Sequence, residues 1–158
     1  MTYAPALNCI KYSVGIDPCC GTGTISQIAA SRAQRVIGVE INEEAVQKAR
    51  LSAARNGLVN VKFIATDFLK KLKNLAEKGE RPDLVILDPP REGVHPRALE
   101  HIIEARPEKI VYISCNPKSQ VRDLELFTDG GYKICKIAAF DQFARTKHVE
   151  AIALIQKM

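Results

Sequence analysis

Two hydrophobic periods alternate along the chain. Short β-branched runs recur at SVGID (13–17), RVIGVE (35–40), VKFIA (61–65), DLVILD (83–88) and KIVYIS (109–114), and the segments between them place apolar residues at helical spacing. Strand, helix, strand in repetition predicts parallel pairing, because a helical crossover returns the chain to the same end of the sheet. DLVILD and KIVYIS are nearly continuous apolar runs, as strands covered by helices on both faces must be. The pattern therefore predicts an α/β architecture: a doubly wound, mostly parallel open sheet. The clearest helix follows Ile41. Asn42 can cap it, Glu43 and Glu44 fill its first turn, Ala45, Val46, Ala49 and Ala53 make its apolar stripe, and Gly57 can end it. The last third departs from the alternation. GYKICKIAAFD (131–141) and HVEAIALIQK (148–157) read as two strands joined by QFARTK, a terminal hairpin that makes one C-terminal strand antiparallel.

Length and composition narrow the classes. At 158 residues and 46% hydrophobic content the chain suits one domain with a full core and is too short for two. Residues 1–13 read as a lead-in segment and 14–158 as the folded domain. The five cysteines are odd in number and form no CxxC pair, which predicts reduced thiols, no disulfide framework and no metal site. No apolar run approaches the ~18 residues that cross a bilayer, and the first residues carry no leader pattern, so a soluble, cytoplasmic protein without a membrane partner is expected. A net charge of +5 favours approach to a polyanion without identifying one.

In a doubly wound sheet, ligands bind beyond the carboxyl ends of the strands, so the residues there matter most. The first end reads IDPCCGTGTIS. Gly21 and Gly23 allow a turn that a ligand can approach closely, while Ser26 stands where a dinucleotide fingerprint would have its third glycine. Glu40 closes the second strand 17 residues after Gly23, near the spacing of ~20 at which an acid accepts the hydroxyls of an adenosine ribose. It could instead simply lead into the helix at Asn42. Asp67, after the third strand, could accept from an adenine amino group or cap a helix. Asp88 opens LDPPREG, where two prolines stiffen the turn and hold the acid toward the cleft. Related loops that methylate exocyclic amines carry an aromatic residue where this chain has Arg91, an arginine suited to phosphate or carboxylate.

KIVYISCNPKS sets Cys115 just before a helix, with Asn116 as cap, Pro117 at the first helical position, and Ser119, Val121, Leu124 and Phe127 continuing the segment. The positive end of a helix favours thiolate over thiol, so Cys115 is a candidate nucleophile; an inert core cysteine is the alternative. Cys9, Cys20 and Cys135 lack such surroundings and are expected in the core. In RTKHVEAIALI, strand alternation puts His148 and Glu150 on one face, and a carboxylate at the mouth of a buried strand suits proton abstraction. An ordinary salt bridge is the alternative there. His95 and His101 are expected to be solvated or on helix surfaces.

IDPCCGTGTIS, GVEINEEAV, LDPPREG, YISCNPKSQVRDL and FDQFARTKHVEAIALI resemble, in order and spacing, the catalytic domain of the RNA uracil-5 methyltransferases. The resemblance runs from about Val14 to the C-terminus and implies a Rossmann-like methyltransferase fold. It also implies an S-adenosylmethionine-dependent transferase that makes 5-methyluridine in tRNA or rRNA. Carried over residue by residue, it makes Cys115 the nucleophile and Glu150 the base. Asp17, Cys19, Gly21, Gly23, Thr24, Glu40, Asp67 and Asp88 become the cofactor contacts. Cys19 stands where the family usually has an aromatic residue, Thr24 matches, and Ala144 replaces a common proline. Family members carry an RNA-binding β-barrel, often an iron–sulfur cluster, and a cofactor-contacting glutamine upstream. The resemblance therefore implies that this chain needs an additional RNA-binding domain and binds RNA weakly alone. A methyltransferase of another base or an amine, or a catalytically impaired cofactor-binding module, are the competing readings.

Overall fold

The structure, a computed structural model, describes residues 12–141, 145–146 and 149–158. Cys9, Ala144 and His148 lie outside the described residues. The elements are β1 (Tyr12–Pro18), α1 (Thr24–Ala30), β2 (Ala33–Glu40), α2 (Glu43–Arg55), β3 (Val61–Ala65), α3 (Phe68–Glu77), β4 (Leu84–Leu87), α4 (Pro96–Ala105), β5 (Lys109–Ser114), α5 (Pro117–Asp129), β6 (Tyr132–Phe140) and β7 (Glu150–Lys157).

They build one seven-stranded sheet in the order β3-β2-β1-β4-β5-β7-β6. From β3 to β5 every pairing is parallel, and β7 runs antiparallel to both β5 and β6. The expected terminal hairpin is present, with its second strand inserted between β5 and the first. The order reverses between β1 and β4, and such a switch point opens a crevice at the carboxyl ends of the strands.

Burial follows position in the sheet. All four residues of β4 are buried, and β5 is buried from Ile110 onward. Ile16, Leu87, Tyr112 and Phe127 belong to one core cluster, while Ile25, Val36, Ile86 and Val111 belong to a second. At roughly 1.5–3 kcal/mol for each large apolar side chain removed from water, these central strands dominate the stability of the sheet. The α2 helix is capped as expected, Asn42 accepting from the Ala45 amide at 3.2 Å, and it packs Val46, Ala49 and Ala53 on Phe63.

One expectation needs correcting. Cys135 is exposed rather than in the core, because β6 is the outer strand and only Tyr132 of it is buried. Its β-bulge between Ile134 and Lys136 and its flanking lysines are features that discourage pairing with another chain. Val121 is 57% exposed on the outer face of α5. Buried Ser119, Gln120 and Asp123 share the inner face with Leu124 and Phe127. Cys20 does pack against the core, beside the Phe63 cluster.

Candidate active site

The strand order lays the singled-out residues along one edge. Asp67 follows β3, Glu40 ends β2, Asp17 and the glycine turn end β1, Asp88 follows β4, Cys115 follows β5, and Glu150 begins β7. Because β7 is antiparallel, its first residue lies at the end where the parallel strands finish.

At the β1 end the turn is tied down by backbone bonds, Cys20 donating to the Val39 carbonyl at 2.9 Å and Gly23 to the Cys20 carbonyl at 2.8 Å. Gly23 has φ +81°, and a Cβ there would meet the Phe63 ring at 2.5 Å, so its glycine is demanded by packing beneath the turn. Gly21, also at positive φ, would present a Cβ to open space, with nothing within 4 Å, and forms the open side of the turn. Glu40 fastens the turn to α2, accepting from the amides of Gly21 at 3.1 Å, Ile41 at 2.8 Å and Asn42 at 3.0 Å. Three of its roughly four acceptor positions are thereby used. Asp67 caps α3, accepting from the Lys70 amide at 3.0 Å, as one of its two readings expected.

A cleft of about 350 Å³ opens between this turn and the β4 loop, with Cys19, Asp67, Phe68, Asp88, Pro89 and Val94 among its lining. Its walls are mostly apolar and its charged groups are Asp67 and Asp88, with His95 also at the lining, a combination that fits a flat base at the Phe68 side and a cation beside the carboxylates. Asp17 is buried, with the Ser26 hydroxyl donating to it. Burial first, then the Asp88 and Glu40 charges, push its carboxyl up to about 7, against the lowering effect of Ser26. Asp88, exposed at the cleft, is nonetheless pushed up to about 6, by desolvation from the surrounding loop and then by Glu150. Thr24 is exposed at the start of α1. The Cys19 thiol is pushed up by desolvation and by Glu40, Asp17, Asp88 and Asp67, which disfavours a thiolate there.

On the other side, Ser114 pairs with Ala151 in the β5–β7 register. Cys115 directly follows Ser114 and Glu150 directly precedes Ala151, so the two lie at the same end of the β5–β7 pair. Cys115 is half-buried and Glu150 is 9% exposed. Asn116 caps α5 as expected, accepting from the Lys118 amide at 3.2 Å. Its side-chain amide also donates to the Arg91 carbonyl at 2.9 Å, so the cysteine loop is joined to the β4 loop.

Sequence reading missed Phe68, which lines the cleft, and His95, whose Nδ1 caps α4 by accepting from the Arg97 amide at 3.2 Å. It is exposed, as expected, and so is His101, which pairs with Glu104 at 3.0 Å. An aromatic after the capping Asp67 and a histidine before a proline were the available signals.

Residues 13–158 match the family described as tRNA (uracil-5-)-methyltransferase. An uncharacterized RNA methyltransferase of Caldanaerobacter subterraneus is 53% identical over 141 residues, 89% of this chain and 31% of that protein. One from Clostridium tetani is 48% identical over 147 residues, 93% of this chain and 32% of that protein. The chain thus spans about a third of the length of these relatives. Among solved structures, the Pyrococcus abyssi tRNA (uracil-54, C5)-methyltransferase in complex with S-adenosyl-L-homocysteine superposes with a TM-score of 0.80 at 30% identity. That match covers 97% of this chain and 36% of that one. An rRNA methylase from Streptococcus thermophilus shares the fold, with a TM-score of 0.73 at 14% identity over 100% of this chain and 95% of that one.

Proposed function

Because the chain belongs to the tRNA (uracil-5-)-methyltransferase family, we propose that it transfers a methyl group from S-adenosylmethionine to C5 of a uridine in tRNA or rRNA. The route is a transient bond between Cys115 and C6 of the base. The observation that carries this reading is that Cys115, just after β5, and Glu150, at the start of the neighbouring β7, share one edge of the sheet with the glycine turn, which lies two strands from β5.

Bound S-adenosylmethionine supplies an electrophilic methyl group. Glu40 would hold its ribose, Asp67 and Phe68 its adenine end, and Asp17 and Asp88 would face its cationic end, with Cys19, Gly21, Gly23 and Thr24 forming the turn. Cys115 would add its thiolate to C6, which puts enolate charge on C5, the carbon that must become nucleophilic. Glu150 would take the C5 proton afterwards, so that the S–C6 bond breaks and the ring is restored. The target base has to leave its stack to enter between these groups. RNA capture would draw on a further domain, consistent with the share of its relatives' length that this chain spans.

The C5 assignment is tested with RNA tritiated at uridine C5. Each methyl group incorporated should release one tritium to water. Methyl incorporation without that release would place the reaction at another atom.

A pH dependence follows from buried Asp17 and from Asp88, which is exposed at the cleft. Both carboxyls have folded-state values raised above the usual 3.8. The fold therefore holds protons that the unfolded chain releases, and this stabilisation is complete below that value and lost as pH rises through 6 to 7. A cation in the cleft favours the ionised acids, so its binding expels protons and strengthens with pH over the same window. S-adenosylmethionine should bind about threefold to tenfold more weakly at pH 5.5 than at pH 8. Calorimetry in two buffers of different ionisation enthalpy measures both affinity and proton release; equal affinity at the two pH values would contradict the assignment.

A further inference from the structure

We propose that Asp123 is a positioning residue that joins the loop carrying Asp88 to the helix that follows Cys115, so that cleft and thiol hold one relative placement. This rests on the function proposed above and assigns a task to a group outside its chemistry. Asp123 is fully buried, yet its only charged partner in the α5 helix is the half-exposed Arg122. Buried charge is costly unless every lone pair is used, and here one carboxylate serves three elements. Oδ2 accepts from the Val94 amide of the β4 loop at 2.8 Å and from the Tyr112 hydroxyl of β5 at 2.6 Å. Oδ1 accepts from Arg122 Nε at 2.9 Å and Nη2 at 2.6 Å, and the same Nη2 donates to the Glu92 carbonyl at 2.9 Å. The Ser119 hydroxyl adds a bond to the Arg91 carbonyl at 3.0 Å.

Gly93 belongs to this joint. Its φ is +85°, and a Cβ would meet Asp123 Oδ2 at 2.6 Å and Arg122 Nη2 at 2.7 Å. A hydrophobic residue at 123 would fill the space but hold nothing. Asparagine would keep the shape while turning an amide donor toward the donors of Arg122 or Val94.

The test compares Asp123→Asn, Gly93→Ala and the double variant, in the full chain, with Tyr112→Phe removing a single bond. Each cysteine's alkylation by iodoacetamide is followed by mass spectrometry, and methyl transfer is measured alongside. Loosening the joint should speed Cys115 alkylation about fivefold or more while leaving Cys20, on the Phe63 cluster, unchanged. The kcat for methyl transfer should fall about thirtyfold with KM for RNA moving less than about threefold. Both perturbations act on one contact, so the double variant should be no worse than the more severe single one. Joint acceleration of Cys20 and Cys115 would show a general loss of stability and overturn the proposal. So would additive effects, or a Cys115 rate unchanged in Asp123→Asn. Alkylation needs neither RNA nor methyl donor, so a failure of the proposed reaction leaves this comparison decisive.

Discussion

Replacing Cys115 with alanine should lower methyl transfer by about four orders of magnitude or more, the scale at which removal of a nucleophile acts. Uracil C5 is too electron-poor to attack a methyl sulfonium unaided, and adding sulfur at C6 is what changes that. The other described thiols are poorly placed to substitute. Cys19 sits among four acids that disfavour its thiolate, Cys20 is pushed up to about 12 by burial and by Asp17 and Glu40, and Cys135 lies on the outer strand. Cys135→Ala should therefore leave activity unchanged. RNA bearing 5-fluorouridine gives a direct view, since fluorine at C5 cannot leave as a proton and the S–C6 bond persists. Mass spectrometry should find the cross-link on the Cys115 peptide of the parent chain and none in Cys115→Ala. Turnover within about tenfold of the parent in that variant would favour a methyltransferase acting on another base or an amine.

How much of this is legible in the sequence depends on what the local pattern encodes. Central strands announce themselves, because a strand covered on both faces has to be almost entirely apolar, as β4 is and as β5 is between Lys109 and Ser114. Caps are equally local: Asn42, Asp67 and Asn116 each bond an amide two or three residues ahead. The alignment of Asp17, Asp88, Cys115 and Glu150 also follows from topology once parallel strands are expected. Sheet position is different. Whether GYKICKIAAFD is a covered or an outer strand depends on β7 inserting beside β5, a long-range outcome, and the expectation for Cys135 fails for that reason. The polar inner face of α5 is hidden more deeply. Ser119, Gln120 and Asp123 look like solvent residues, and only their partners make them inward: the Arg91 carbonyl, the carbonyls of Tyr112 and Ala151, and the Val94 amide.

Glu150→Gln should separate bond making from product release. Glutamine preserves the shape of a residue that is almost buried and paired into β7 opposite Phe140 of β6, so the fold should tolerate it. It cannot take the C5 proton. Addition of Cys115 to C6 needs no base at that position, and methylation of C5 does not either, whereas elimination does. Turnover should drop by about two to four orders of magnitude, the usual span for a general base. Unmodified RNA should then accumulate as a protein adduct resistant to denaturation, and Cys115→Ala combined with Glu150→Gln should form none. Removing the carboxylate also removes the charge that helps raise Asp88, so the pH dependence of cofactor affinity should shift toward lower pH in the same variant. Loss of turnover without any adduct would assign Glu150 to a step before sulfur addition. Full turnover would show that another group takes the proton.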